Sequence, residues 1–448
     1  MTGFKLSPAI HRKVDTLWAK VQRLHIRGEH TDAVVPRLPP ELTDGIIDHL
    51  RRDKAALICC SLVCTSFLNR SYHHLFRVMN MRDTKRFRRF IALLPSATLR
   101  QYVEVVVLGN SGSTDVAAFM RLRLDVESLG ALLDATPALQ YLELNCLTWA
   151  PTAAPDGERS GSPTTKNIKH VFYKDVLSSE SGVPLALGEL ISLFRLFGAV
   201  TKLTMHSSIS VDASPGFALR PGSRMQALQV RDLTLQADVI NAPFLQFLRT
   251  TGTTKTLKVI HVDAVDKATV SALGSLLRDA KAVISVLQVD VMSLGPPHKR
   301  EYKPERLCKA LDIPANLAGC TSLRTLRFWI TMSDGLGPIG TWHWRFFFAV
   351  LTDAVANLPN VEHIVLCVTL GKNPQDALAH MPEIDWAQLE NLLRRFTQLS
   401  CLAFGTPSPR RRTQEMLDVD KKLWKIAKKR LPVLYANKVL RWSNTYTN

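Results

Sequence analysis

Apolar residues recur along this chain in two rhythms, and the switch between them divides it. Near the start, Val14, Leu17, Trp18, Val21 and Leu24 fall at helical spacing and predict one amphipathic helix within residues 1–35. From Leu38 to Met79 the apolar positions crowd into short helical stripes. Pro39 and Pro40 suit a helix entrance, where a missing backbone N–H costs nothing, and Glu41 and Asp44 sit where the helix dipole favours negative charge. That helix is expected to run to about Leu50, with Leu42, Ile46, Ile47 and Leu50 on one stripe and Gly45 lowering propensity by about 1 kcal/mol. Asp53 is placed to cap a second helix through Leu57, and Leu62, Val63, Phe67 and Leu68 make the stripe of a third. Helices this short cannot hide so much apolar surface among themselves.

Past the basic run Arg82–Phe90, short β-like runs alternate with helical runs from Leu99 to Gly405. Leu139, Leu142 and Leu144 spell a Leu-x-x-Leu-x-Leu frame. Leu323, Leu326 and Phe328 fill it again, as do Val361, Ile364 and Leu366, then Leu399, Leu402 and Phe404. Weaker copies begin at Val200, Val230, Leu257 and Ile284, and starts from Val230 onward differ by 27, 27, 39, 38 and 38 residues. One strand face and one helix stripe cannot bury themselves alone, so such units stack and share a core. The frame resembles leucine-rich repeats in degenerate form, with periods longer than the usual range of roughly 20–29 residues. The competing architecture is a doubly wound α/β enzyme. It wants a glycine-rich turn after its first strand, and Val105–Asp115 has neither the Gly-x-Gly-x-x-Gly order nor a Gly-Lys-Ser.

The block from Leu38 to Met79 carries a second resemblance. Leu38-Pro39-Pro40-Glu41-Leu42, Ile46-Ile47-Asp48-His49-Leu50, Leu57, the Cys59–Cys64 stretch, Phe67 and His73–Val78 resemble an F-box, as found ahead of degenerate leucine-rich repeats in many fungal proteins. Phe67 stands where that family usually has tryptophan, and Gly45 where a better helix former is common. The resemblance implies a non-catalytic, substrate-recruiting subunit of a Skp–cullin–F-box type ubiquitin ligase. Such a subunit docks on a Skp-family adaptor, through it on a cullin, and holds a protein substrate on its C-terminal domain. The expected docking and packing set is Leu38, Pro39, Leu42, Ile46, Ile47, Leu57, Leu62, Val63 and Phe67.

The expected fold class is therefore α+β overall, an N-terminal all-α F-box-like block followed by an α/β leucine-rich-repeat-like solenoid. Its parts are an N-terminal helical segment at 1–35, the F-box-like domain at 36–80 and a basic helical linker at 81–98. The repeat domain follows at 99–405, with a loop inserted at 150–165 where Pro, Gly, Ser and Thr cluster, and a basic tail with an amphipathic helix closes the chain at 406–448.

Charge sharpens this picture. The net charge is +18, but residues 1–100 hold 18 Lys and Arg against 8 Asp and Glu, residues 101–409 hold 28 against 28, and residues 410–448 hold 11 against 3. A neutral body argues against nucleic acid as the main partner. The tail cations Arg410, Arg411, Arg412, Lys421, Lys422, Lys428, Lys429 and Arg430 suit an import signal, a nucleic-acid contact or a solvated helix face. They also supply the alternative function, a nuclear or chromatin-associated scaffold acting through basic termini. No stretch approaches the roughly 20 apolar residues of a membrane helix, and the first residues lack the apolar centre of a signal peptide. A cytoplasmic or nuclear location is expected, with no membrane partner.

The 8 cysteines show no paired spacing. Cys59, Cys60 and Cys64 with His73 and His74 match no common zinc pattern, and core packing is the expected role of those thiols. No catalytic motif appears among Gly-x-Ser-x-Gly, His-Glu-x-x-His or phosphate loops, so no catalytic, metal or cofactor-binding residue is assigned. The aromatic run Trp342–Phe348 is expected to lie in a buried helix, with a binding anchor as the other reading.

Overall fold

Each Leu-x-x-Leu-x-Leu frame ends in a strand of one sheet. The computed structural model describes residues 39–94, 97–109, 122–150, 165–178, 185–206, 228–236, 242–263, 267–290, 317–332, 339–370, 378, 384–406 and 414–442. The helix expected around Val14–Leu24, Leu38, the interior of the 150–165 insertion and Arg410–Arg412 lie outside these residues.

The chain begins with helices α1 (Pro40–His49), α2 (Lys54–Ser61) and α3 (Thr65–Phe76), which lead into β1 (Val78–Met81) and α4 (Thr84–Leu93). The strands that follow are β2 (Val105–Gly109), β3 (Arg123–Leu124), β4 (Tyr141–Trp149), β5 (Lys166–Ser178), β6 (Phe197–Met205) and β7 (Gln229–Leu235). They continue as β8 (Val259–Asp263), β9 (Val286–Asp290), β10 (Thr325–Met332), β11 (His363–Leu370), β12 (Cys401–Gly405) and β13 (Leu440–Trp442). Helices α5 (Val126–Ala135), α6 (Leu187–Phe194), α7 (Ala242–Thr250), α8 (Lys267–Ala280), α9 (Ile339–Asn357) and α10 (Trp386–Arg394) alternate with them, and α11 (Gln414–Arg430) and α12 (Pro432–Ala436) precede β13.

All 13 strands belong to one sheet whose order follows the chain, β3 pairing beside β4 off the main path. Every described pairing is parallel. Among the described strands the order does not reverse, so they form no crevice of the doubly wound kind. The frame leucines explain the register: Leu233, Ile260, Leu287, Leu326, Ile364 and Leu402 face one another across successive strands and are at most 1% exposed. Burying each such side chain contributes about 1.5–3 kcal/mol. The helices add their stripes to the same continuous core, including Leu273, Leu276 and Leu277 of α8 and Trp344 and Phe347 of α9. The aromatic run thus lies in a helix that packs on the core. At the end of β2, Gly109 has φ +101°, and a Cβ there would come within 1.7 Å of the Asn145 carbonyl oxygen, so the β2–β4 approach requires glycine.

This overturns the expected class. The fold is α/β, one all-parallel sheet with helices, and among the described residues no separate all-α block precedes it. Only Arg77 stands between α3 and β1, and the Arg77 carbonyl accepts the amides of Glu104 (3.1 Å) and Val105 (2.9 Å), so the helical segment is continuous with the sheet. Strand β1 begins inside the segment expected as an all-α block, α4 lies within the segment expected as a helical linker, and β13 carries the sheet into the expected tail. The helical periodicity of residues 40–76 was legible. The strand directly behind it has only four residues and no frame, and it escaped notice.

Candidate docking face and polar sheet face

The N-terminal helices are held by few groups. On α1, Thr43 and Ile47 lie four residues apart and are buried, while Leu42 and Ile46, also four apart, point outward. On α2, Leu57 is fully buried, and Asp53 caps the helix by accepting the Ala56 amide at 3.0 Å. Ile47 and Leu57 lie outside the continuous core of the sheet. A polar tie also joins α1 and α3. Asp48 accepts two bonds from Arg70, Nε to Oδ1 at 2.6 Å and Nη2 to Oδ2 at 2.7 Å, and His74 Nε2 meets Oδ1 at 2.6 Å. Those bonds, Arg70 first and His74 second, hold the Asp48 carboxyl well below the usual range. The pair is partly solvated, so its contribution is at most about 1 kcal/mol. At the sheet end, Arg77 Nε donates to Glu104 at 3.0 Å and Tyr102 donates to Asn69 at 3.2 Å.

The structure divides the expected docking set. Leu42 is 57% exposed, Ile46 45%, Leu62 58% and Val63 55%, and Pro39 is exposed. Ile47 and Leu57 are interior, and Phe67 is half-buried. Leu62 and Val63 occupy the turn between α2 and α3, where no helix stripe carries them inward as the sequence suggested. The sequence reading missed Ile58, 38% exposed, beside them. The cysteine expectation is corrected too: Cys64 is exposed at the N-cap of α3, and Cys59 and Cys60 are half-buried. A bond from Ser66 pulls the Cys64 thiol pKa down.

The second surface is the sheet face away from the core. Side chains alternate along a strand, so residues between the frame leucines emerge there in register rows. One row runs Tyr141, His170, Lys202 and Asp232. Another runs Thr234, His261, Gln288 and Arg327, and Asp263, Asp290 and Trp329 form a third. His170 Nε2 contacts the Thr204 hydroxyl at 3.1 Å, and burial, with Lys202 second, pushes its pKa down to about 4. Burial first and Glu143 second push Tyr141 up to about 12. His261 is likewise depressed to about 4, by burial and then by Arg327, His206 and Lys202. Its Nε2 stands 3.0 Å from Gln288 Nε2 and 3.8 Å from Asp263 Oδ1. Asp290 is 5% exposed, and the ligand-type atoms of His261, Asp263 and Asp290 all lie within 4.8 Å of one another. Among the described residues this is the one such group. Lining up the frames that begin at Leu257 and Ile284 would have paired Asp263 with Asp290, a signal the sequence held.

At the other end, α11 buries Val419, Leu423 and Ala427. Lys421, Lys422, Lys429 and Arg430 are exposed. Lys428 is half-buried, its ammonium 5.1 Å from the ring centres of both Trp424 and Tyr435. It serves the packing of the tail as well as its charge. No described helix is long and apolar enough to cross a membrane.

No protein-family model and no curated protein matches the chain.

Proposed function

We propose that this protein recruits substrates to a Skp–cullin–F-box type ubiquitin ligase as a non-catalytic subunit. The helices α1 and α2 and the turn after them dock a Skp-family adaptor, and the polar face of the sheet presents the substrate surface. One observation carries the reading: five of the eight large apolar side chains exposed among the described residues, Leu42, Ile46, Ile58, Leu62 and Val63, fall within this short segment. Exposed apolar side chains in the same short segment as the exposed cations Arg51, Arg52 and Lys54 have the make-up of an interface. The resemblance of Leu38–Met79 to an F-box supplies the kind of partner. The reading needs no independently folded block, because contact residues can project from helices joined to the sheet.

The test uses the full chain with Ile46→Asp and Leu62→Asp, each at an exposed site that adds no buried charge. Calorimetry against a purified Skp-family adaptor is expected to show binding weakened by about 30-fold or more in each variant, the loss typical of an interface hot spot. Denaturation midpoints are expected to match the parent. Unchanged affinity in both variants would overturn the docking assignment.

A further inference from the structure

We propose that His261, Asp263 and Asp290 form a divalent-cation site on the polar face of the sheet. Strand β8 contributes an imidazole and a carboxylate two positions apart, which strand alternation places on the same face. Strand β9 contributes the second carboxylate directly in register with Asp263. Neighbouring strands lie about 4.8 Å apart, so the backbone alone brings these groups together. The side chains of His261 and Asp263 are only 12% and 15% exposed, and Asp290 is 5% exposed. These are not solvated surface acids. A fourth polar group converges on the same point: Gln288, 7% exposed, has Nε2 at 3.0 Å from His261 Nε2. With the carboxamide donating, that imidazole nitrogen carries a lone pair, and it is the nitrogen 3.8 Å from the Asp263 carboxylate.

Ligation at about 2.0–2.2 Å places ligand atoms roughly 3 Å apart. Side-chain rotations of under about 1–2 Å bring the three groups to that spacing, with the Gln288 amide turning aside and the strands fixed. One nitrogen and two carboxylates suit Zn²⁺ or Mn²⁺ better than Mg²⁺ or Ca²⁺, because imidazole favours the softer ions. Three protein ligands leave coordination positions open toward the face that the proposed function assigns to substrate. The site does not depend on adaptor docking.

The experiment titrates the chelator-treated full chain with ZnCl₂ by calorimetry, and with CoCl₂ by absorption spectroscopy. One saturable site is expected, and its Co²⁺ spectrum should lack the intense near-ultraviolet bands of thiolate ligation, which separates it from the cysteines of the N-terminal helices. Asp290→Asn and His261→Gln are each expected to weaken binding by about 100-fold or more, whereas Gln288→Leu, which removes the amide that occupies the ligating nitrogen, is expected to bind at least as tightly as the parent. Asp232→Asn, an acid on the same face outside the cluster, is expected to leave binding unchanged. Circular dichroism in chelator checks that each variant folds, and two separate ligand variants guard against one that does not. Absence of saturable binding, binding that survives both ligand variants, or thiolate bands in the Co²⁺ spectrum would each overturn the site.

Discussion

The two ends of the sheet are finished in opposite ways. At the β13 end, α11 buries an apolar stripe and turns lysines to solvent, the polar outer face that a terminal unit of a stack requires. At the β1 end, α1 and α2 bury little apart from Thr43, Ile47 and Leu57, and they turn leucine, isoleucine and valine outward. Both ends carry excess positive charge in the sequence, so charge does not distinguish them. What differs is where the apolar residues point. An end that only closed the stack would look like the β13 end, and the exposed apolar side chains at the β1 end set it apart, which supports the docking role proposed for them.

The largest expected effect separates a side chain that serves the stack from one that serves an interface. Leu326 lies in the register row of the core at 0% exposure, and Leu42 is 57% exposed. Leu326→Ala is expected to cost about 2–5 kcal/mol in chemical denaturation. Leu42→Ala is expected to stay within about 0.5 kcal/mol of the parent. A cost at Leu42 comparable to that at Leu326 would mean that the helical segment has a core of its own that includes this leucine, and the contrast between the two ends would collapse.

How much of this was legible depends on period. The frame repeats with a phase that a strand enforces, so the positions of Leu326, Ile364 and Leu402 in the core were readable from spacing alone. In the N-terminal segment the same apolar residue types serve two purposes. Spacing put Leu42, Ile46 and Ile47 on one stripe, but the structure turns Ile47 inward and the other two outward, because the interior of so small a helical group accepts one flank of that stripe. Leu62 and Val63 were read into a helix because apolar residues look alike in a turn and in a helix. The His261, Asp263 and Asp290 group was hidden for a different reason. Its members belong to two repeats, and nothing in a linear reading marks polar residues as neighbours until the frames are laid side by side.

A smaller effect tests the polar face against the helical end through pH. The His170 imidazole is pushed down to about 4 in the folded chain, chiefly by burial. Its ordinary value is about 6.5, so between the two the unfolded chain binds the proton and the folded one does not. The stability this group contributes is therefore present above about pH 6.5 and lost as pH falls toward 4. Thermal melts of His170→Gln, which keeps a partner for Thr204, are expected to fall less steeply over that window than those of the parent. An identical slope would mean that His170 is solvated, and that the polar face is more open than its half-buried rows imply.

The smallest expected effect on stability comes from the lysine face of α11, and it sharpens the comparison from the other side. Lys421, Lys422 and Lys429 are exposed, and the ion pair of Lys421 with Asp418 at 3.2 Å is largely solvated. Lys428 differs, because its ammonium lies over Trp424 and Tyr435. Changing Lys421, Lys422 and Lys429 together to Gln is expected to move stability by less than about 0.5 kcal/mol, the range of ordinary surface substitutions. Adaptor affinity is expected to be unchanged, since these residues sit at the far end of the strand order from α1. Retention on heparin is expected to fall, and its salt dependence to flatten, because three cations no longer release counterions on binding. Adding Lys428→Gln removes a stacked cation as well as a charge, and a further loss of about 0.5–1 kcal/mol is expected from that side chain alone. If the triple substitution destabilised the protein as much as Lys428→Gln does, the lysines would be part of the packing. The β13 end would then be no plain polar cap, and the contrast with the exposed apolar helices would lose its reference.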